Sequence, residues 1–256
     1  MILARISHAL RTQNWVAVAI EFLVVVAGIV IGFAVTGWAE RQNENERARD
    51  YLDRLGSDLQ TNEMRFTEAY TFREQVRDLG LEALSYASGA AEPPSDWRVI
   101  LTYFNASQAG GAEPVDATYR EMLATGDLDL VRSIDLRALL AAYYTSTGYS
   151  EITDALPAYR ETVRGIIPID MQSYIWENCW ESVVGRTQRL IDCDGPETDA
   201  VRLSSLADAL LQNEQVNAEL HYWVSNQYAA LTIHAAQVHQ TEEALAALRQ
   251  IIGETE

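Results

Sequence analysis

A lone carboxylate, Glu21, stands inside the apolar run IEFLVVVAGIVIGFAVTGW at residues 20–38. An ionisable group in a membrane-length segment is costly to keep there, so it marks a partner helix, an ion path or a route to the headgroups. On a helix turning about 100° per residue, Glu21, Val25, Gly28, Gly32, Val35 and Thr36 fall on one stripe. Gly28 and Gly32 form a G-x-x-x-G pair that Thr36 extends, a spacing that lets two backbones approach closely where no hydrophobic force acts. Phe22, Leu23, Val26, Ile29, Val30 and Phe33 lie on the other faces and suit lipid. Glu21 therefore faces a neighbouring helix in this reading, as a packing or partner-pairing group. Two other roles stay open. Glu21 lies only about 9 Å along the axis from Trp15 and can snorkel to the headgroups, or it can carry a proton.

Cys179 and Cys193 are the chain's two cysteines, placed to close a small loop. Paired, they stabilise the fold by roughly 3 kcal/mol and put the domain in an oxidising compartment; unpaired, they are two buried thiols. No nucleophile motif, phosphate loop or zinc spacing is present. His234 and His239 are separated by about 140° on a helix, too far to share a metal, and His239 with Glu243 makes only two ligands. DCDGPETD carries Asp192, Asp194, Glu197 and Asp199, but its Gly comes too early for an EF-hand loop. Tyr174, Trp176 and Trp180 read as core aromatics, and Asn105-Ala106-Ser107 fits a glycosylation acceptor by chance. The reading is non-enzymatic, with no metal and no cofactor.

These residues need a membrane helix and a helical domain to hold them. Residues 15–36 carry one charge and span about 33 Å as a helix, enough to cross a bilayer. Trp15 and Trp38 bracket the span as interfacial anchors. Its length and its Trp end favour an uncleaved signal anchor over a cleaved signal peptide. Arg5 and Arg11 precede it, while Arg41, Arg47, Arg49 and Arg54 follow among acids. Counting basic residues favours a cytoplasmic C-terminal domain. The cysteine pair and the signal-anchor layout favour the opposite, a bacterial inner-membrane protein with its C-terminal domain in the periplasm, and that orientation is preferred.

Past Trp38, Leu52, Leu55, Leu59, Phe66, Leu79 and Leu84 recur at helical spacings. GAAEPPSDW reads as a loop. Gly126 is placed to stop a helix, and Ser133 to cap the next, which runs through Tyr144. A further helix is expected over 151–165, and one or two more over 204–248. No run alternates with period two. The chain is therefore expected to be all-α, a single N-terminal transmembrane helix continuing into a helical-bundle extramembrane domain. Its divisions are a short cytoplasmic segment (1–14), the transmembrane helix (15–38), a stalk and long helix (39–90) and the helical domain (91–256). The formal net charge of −18 argues against nucleic acid or anionic headgroups as partners. All nineteen basic residues are Arg, a compositional habit rather than a functional signal.

Two stretches resemble a known family. VAIEFLVVVAGIVIGFAVTGWAE with YLDRLGSDL, and then TYREMLATGDLDLVRSIDLRALLAAYY, are similar to a bacterial single-pass membrane family of unknown function. Its members start the span with Ile-Gly-Glu and leave it with Asn-Asn-Trp-x-Glu. Here Ala19-Ile20-Glu21 and Thr36-Gly37-Trp38-Ala39-Glu40 stand at those places, without the Gly and the Asn pair. The resemblance covers about a quarter of the chain. It implies one anchor and a helical domain, with Glu21 part of the pattern, and no activity. The function expected is a self-associating scaffold, or a subunit of a larger membrane assembly, contacting the bilayer and other helices through the Glu21–Thr36 face. The alternative is an accessory subunit of an ion-driven machine with Glu21 as proton carrier.

Overall fold

A computed structural model describes residues 15–146, 153, 156–183 and 187–255. Among the described residues the chain is all-α apart from one small hairpin, and the first of its helices is the continuous α1 (Trp15–Ala87), of 73 residues. By its contacts the chain divides into two units, residues 1–51 and 52–256. In the first unit the apolar stretch of α1 is exposed on every face, from 38% at Val26 to 76% at Phe33. A helix that is apolar all round belongs in a core or in lipid, and no core covers this one. Among the described residues it is the one helix long and apolar enough to cross a membrane.

The second unit is built on the rest of α1 and on α8 (Glu214–Thr255). These two run antiparallel. A Cβ added at Gly56 would meet Leu248 at 3.4 Å, while one added at Gly80 would meet Val224. Between those contacts Arg73 donates to Gln227 Oε1 at 3.1 Å. Gly80 is needed there because Val224, branched at Cβ, has little room to move aside. In the centre lies α2 (Asp96–Ala106), capped by Ser95, whose Oγ accepts from Arg98 N at 3.1 Å. Every residue of α2 from Val99 to Ala106 is buried. The sequence reading treats Trp97 as loop and assigns no helix here. Its polar residues Arg98, Thr102 and Asn105 recur at i, i+4 and i+7 on one face, but over eleven residues that stripe is short.

Helices α3 (Ala117–Thr125) and α4 (Ile134–Ser146) form the expected hairpin. Gly126 ends α3 at φ 76°, a conformation that Gly adopts freely. A 3₁₀ turn over Asp127–Leu130 follows, and Ser133 Oγ accepts from Leu136 N at 3.2 Å to start α4. The hairpin is tied to α1 by Asn62, fully buried, which exchanges hydrogen bonds of 3.0 and 2.6 Å with the Val115 backbone. On the other side α4 packs against α8.

The helix expected over 151–165 starts later, as α5 (Ala158–Ile166). Pro157 caps it in extended backbone (ψ 148°) and disfavours helix for the residue before it. Residues 151, 152, 154 and 155 lie outside the described part. After α6 (Ile169–Asn178) come β1 (Trp180–Val183) and β2 (Thr187–Leu190), paired antiparallel with Trp180 opposite Leu190 and Glu181 opposite Arg189. The absence of strands expected from sequence is corrected by this hairpin; four residues are too few to show a period of two. The 204–248 region is two helices, α7 (Ala200–Leu211) and α8. They break at Gln212 and Asn213, where Asn213 Oδ1 accepts from Val216 N at 3.0 Å.

Candidate functional site

The stripe singled out in the sequence lies wholly in the uncovered part of α1. Glu21, Val25, Gly28, Gly32 and Thr36 are all exposed. A Cβ added at Gly28 or Gly32 meets nothing within 4 Å, so a second helix has open access to the backbone. Thr36 Oγ1 donates to Gly32 O at 3.0 Å, using its proton inside the helix and leaving oxygen lone pairs outward. Trp38 is 64% exposed at the polar end of the span. The Trp15 side chain lies outside the described residues.

Cys179 and Cys193 are joined as a disulfide across a separation of 14, with Cα atoms 5.3 Å apart. The loop they close contains β1 and β2. Cys179 O accepts from Ile191 N at 2.9 Å, and Trp180 Nε1 donates to Gln188 Oε1 at 3.1 Å. An aromatic corner seats the loop on the core. Trp97 Nε1 donates to Cys193 O at 2.9 Å, and its ring meets Tyr174 edge-on at 5.7 Å. Trp176 stands edge-on to Phe104 and to Trp180; Tyr174, Trp176 and Trp180 are half-buried and pack against the core rather than within it. Gly195 is required under Trp97, where an added Cβ would come to 2.8 Å of the ring.

This seating creates a cleft of about 320 Å³ between α1, α2 and the end of β2, lined by Gln75, Asp78, Glu82, Arg98, Asn105 and Asp192 among its polar residues. At its centre Arg98 donates through Nε and Nη2 to both oxygens of Glu82, each at 2.7 Å, and Nη1 lies 2.9 Å from Asp192 Oδ1. Tyr86 donates its hydroxyl to Glu82 as well. Burial pushes the Glu82 carboxyl up, but hydrogen bonds from Arg98 and Tyr86 and the Arg98 charge outweigh it and hold Glu82 below its ordinary value. The hydrogen bond to Glu82 in turn raises Arg98. Asp192 is read from sequence only as part of the acidic loop DCDGPETD, and Glu82, Arg98 and Tyr86 are not singled out by the sequence. Their separations, 82 to 98 to 192, carry no local pattern, and only the fold brings them together.

The pair makes a pH-dependent contribution. With Glu82 depressed in the fold, that contribution is complete above the ordinary glutamate value of about 4.3 and is lost as pH falls through the lower folded value. Arg98→Leu is expected to cost about 1–2 kcal/mol at neutral pH, discounted for partial exposure of the pair. Urea unfolding should show the gap between wild type and variant closing below about pH 4; a gap unchanged by acid would contradict this.

The remaining candidates are placed elsewhere. His234 is buried with Nδ1 2.8 Å from Gln237 Oε1, while His239 is exposed and 3.3 Å from Glu243. No group of three or more His, Cys, Asp or Glu suited to a metal occurs among the described residues. Arg160 and Arg164, side by side on α5, both donate to Gln108 Oε1 just past the C-terminus of α2, at 3.2 and 3.1 Å. Burial and the neighbouring Arg160 push Arg164 down to about 10. Set beside protein-family models, curated proteins and solved structures, the chain matches none of them.

Proposed function

We propose that this chain is a non-enzymatic, single-pass protein of a bacterial inner membrane that self-associates, or joins a larger membrane assembly, through the Glu21–Thr36 face of α1. The observation that carries the proposal is the uncovered span. Its whole circumference is apolar and exposed, and its one carboxylate shares a stripe with two glycines that have open space around them. Lipid suits the bulky faces, and a second helix suits the small one. The acidic helical domain lies in the periplasm in this reading. The disulfide supports that side of the membrane, because such bonds persist in oxidising compartments. The resemblance of Ala19–Glu21 and Thr36–Glu40 to the anchor of a bacterial single-pass family fits the same picture.

Glu21→Gln separates this reading from a proton carrier. Gln keeps the hydrogen-bonding capacity of the side chain but has no titratable proton. In the packing reading the variant co-isolates with wild-type copies in mild detergent to within about twofold, and it complements a deletion strain as wild type does. A variant that assembles normally yet fails to complement would favour the proton carrier instead.

A further inference from the structure

The cleft beside the hairpin has a chemistry of its own, independent of the span. Three carboxylates line it, Asp78, Glu82 and Asp192, against the single guanidinium of Arg98. All three nitrogens of that guanidinium already face carboxylates, and the carboxylates outnumber it, so the cleft disfavours an incoming anion. A second, separate observation comes from Asn105. Its side chain is 2% exposed and lines the cleft, and its Oδ1 is buried with no hydrogen-bond donor. A buried acceptor left without a donor is destabilising by about 1–3 kcal/mol unless a ligand or water supplies one. The rest of the wall is apolar: Leu79, Leu101, Leu190 and Ile191.

We propose that this cleft is a binding site for a small organic cation, a primary ammonium carried on an apolar body. The ammonium has three N–H donors and a positive charge. The Asn105 acceptor and the outer carboxylates, Asp78 and Asp192, match them. Both carboxylates remain largely solvent-exposed, at 63% and 78%, and so have oxygen faces free for a ligand beyond their pairing with Arg77 and Arg98. The aliphatic wall takes the body. A volume of about 320 Å³ falls at the lower end of ligand pockets and limits the occupant to roughly the size of an aralkylamine. A carboxylate or phosphate is excluded by repulsion, and a neutral isostere forfeits the charge term.

The test uses the full chain in mild detergent, at about 0.15 M salt to screen unspecific attraction to its acidic surface. Calorimetric titration with 2-phenylethylamine is expected to saturate at one site per chain with Kd of about 0.1–1 mM. Its neutral counterpart 2-phenylethanol is expected to bind at least about tenfold more weakly. Asp78→Asn combined with Asp192→Asn, both at exposed side chains, should weaken the amine about tenfold. Asn105→Leu should weaken it as well, and the exposed pair decides the matter if that buried variant does not fold. The proposal is overturned if the amine does not saturate by about 10 mM. It is equally overturned if the alcohol binds as well as the amine, if the double variant binds unchanged, or if calcium chloride saturates the site while the amine does not.

Discussion

Replacing Trp223 by Ala is expected to remove about 3–5 kcal/mol of stability. Trp223 is 2% exposed and lies in the core between α8, α2 and α1. Its indole N–H donates to Ala106 O at 2.8 Å, at the last residue of α2. The guanidinium of Arg73 stands 5.7 Å from the ring centroid. Ala therefore leaves a cavity, removes the donor from a buried carbonyl and takes the ring from a buried cation. These losses act on one site and do not add independently. Domains of this kind hold about 5–15 kcal/mol in all, so the variant would unfold readily. Urea titration followed by circular dichroism reads the difference. Trp223→Phe, which keeps most of the volume but not the N–H, should cost about half as much. A cost below about 1 kcal/mol for Trp223→Ala would mean that α8 does not pack on α2 in this way.

Replacing both cysteines by Ser is expected to lower stability by about 3 kcal/mol, the chain-entropy value for a loop of about fifteen residues. The effect should have a structural signature that most core changes lack. The disulfide closes the loop holding β1 and β2, and the same loop supplies Asp192 to Arg98 and Cys193 O to Trp97. Freed ends should raise hydrogen exchange at Leu190 and Ile191 first, since their amides bond to Gln75 Oε1 and Cys179 O. A reducing agent added to wild type should reproduce both effects. Loss of stability without added exchange in the hairpin would show that the loop is held by its aromatic corner rather than by the covalent link.

How much of this fold is legible in the sequence depends on how local the cause is. Gly126 and Ser133 are legible because a helix stop and a cap act through their own backbone neighbours. The span is legible because lipid demands an unbroken apolar length, which composition alone displays. Helix α2 is not, because its polar stripe of Arg98, Thr102 and Asn105 is short and its first turn merges with the Pro-containing loop signal of residues 89–97. The hairpin is hidden by its brevity, although Gly185 between two β-branched or polar stretches is a usable turn signal. The Glu82–Arg98–Asp192 cluster is illegible for a different reason. It joins three elements whose approach is decided by the packing of Trp97, Tyr174 and the disulfide loop. Charges in an acidic chain give no hint which of them will face inward.

The small-residue face of the span is proposed to hold two copies, or this chain and a partner helix, together in the membrane. Cross-linking of the full chain in native membranes, wild type beside Gly28→Leu with Gly32→Leu, reads that contact. Both substitutions keep the span apolar and place side chains where the face is now open, so folding of the domain is untouched. A helix-packing role for the face predicts a discrete cross-linked species in wild type. That species should fall at least about tenfold in the double variant, a loss of about 1.4 kcal/mol or more of association energy. A wild-type chain that stays monomeric and uncoupled, or a double variant that cross-links as well as wild type, would rule that role out.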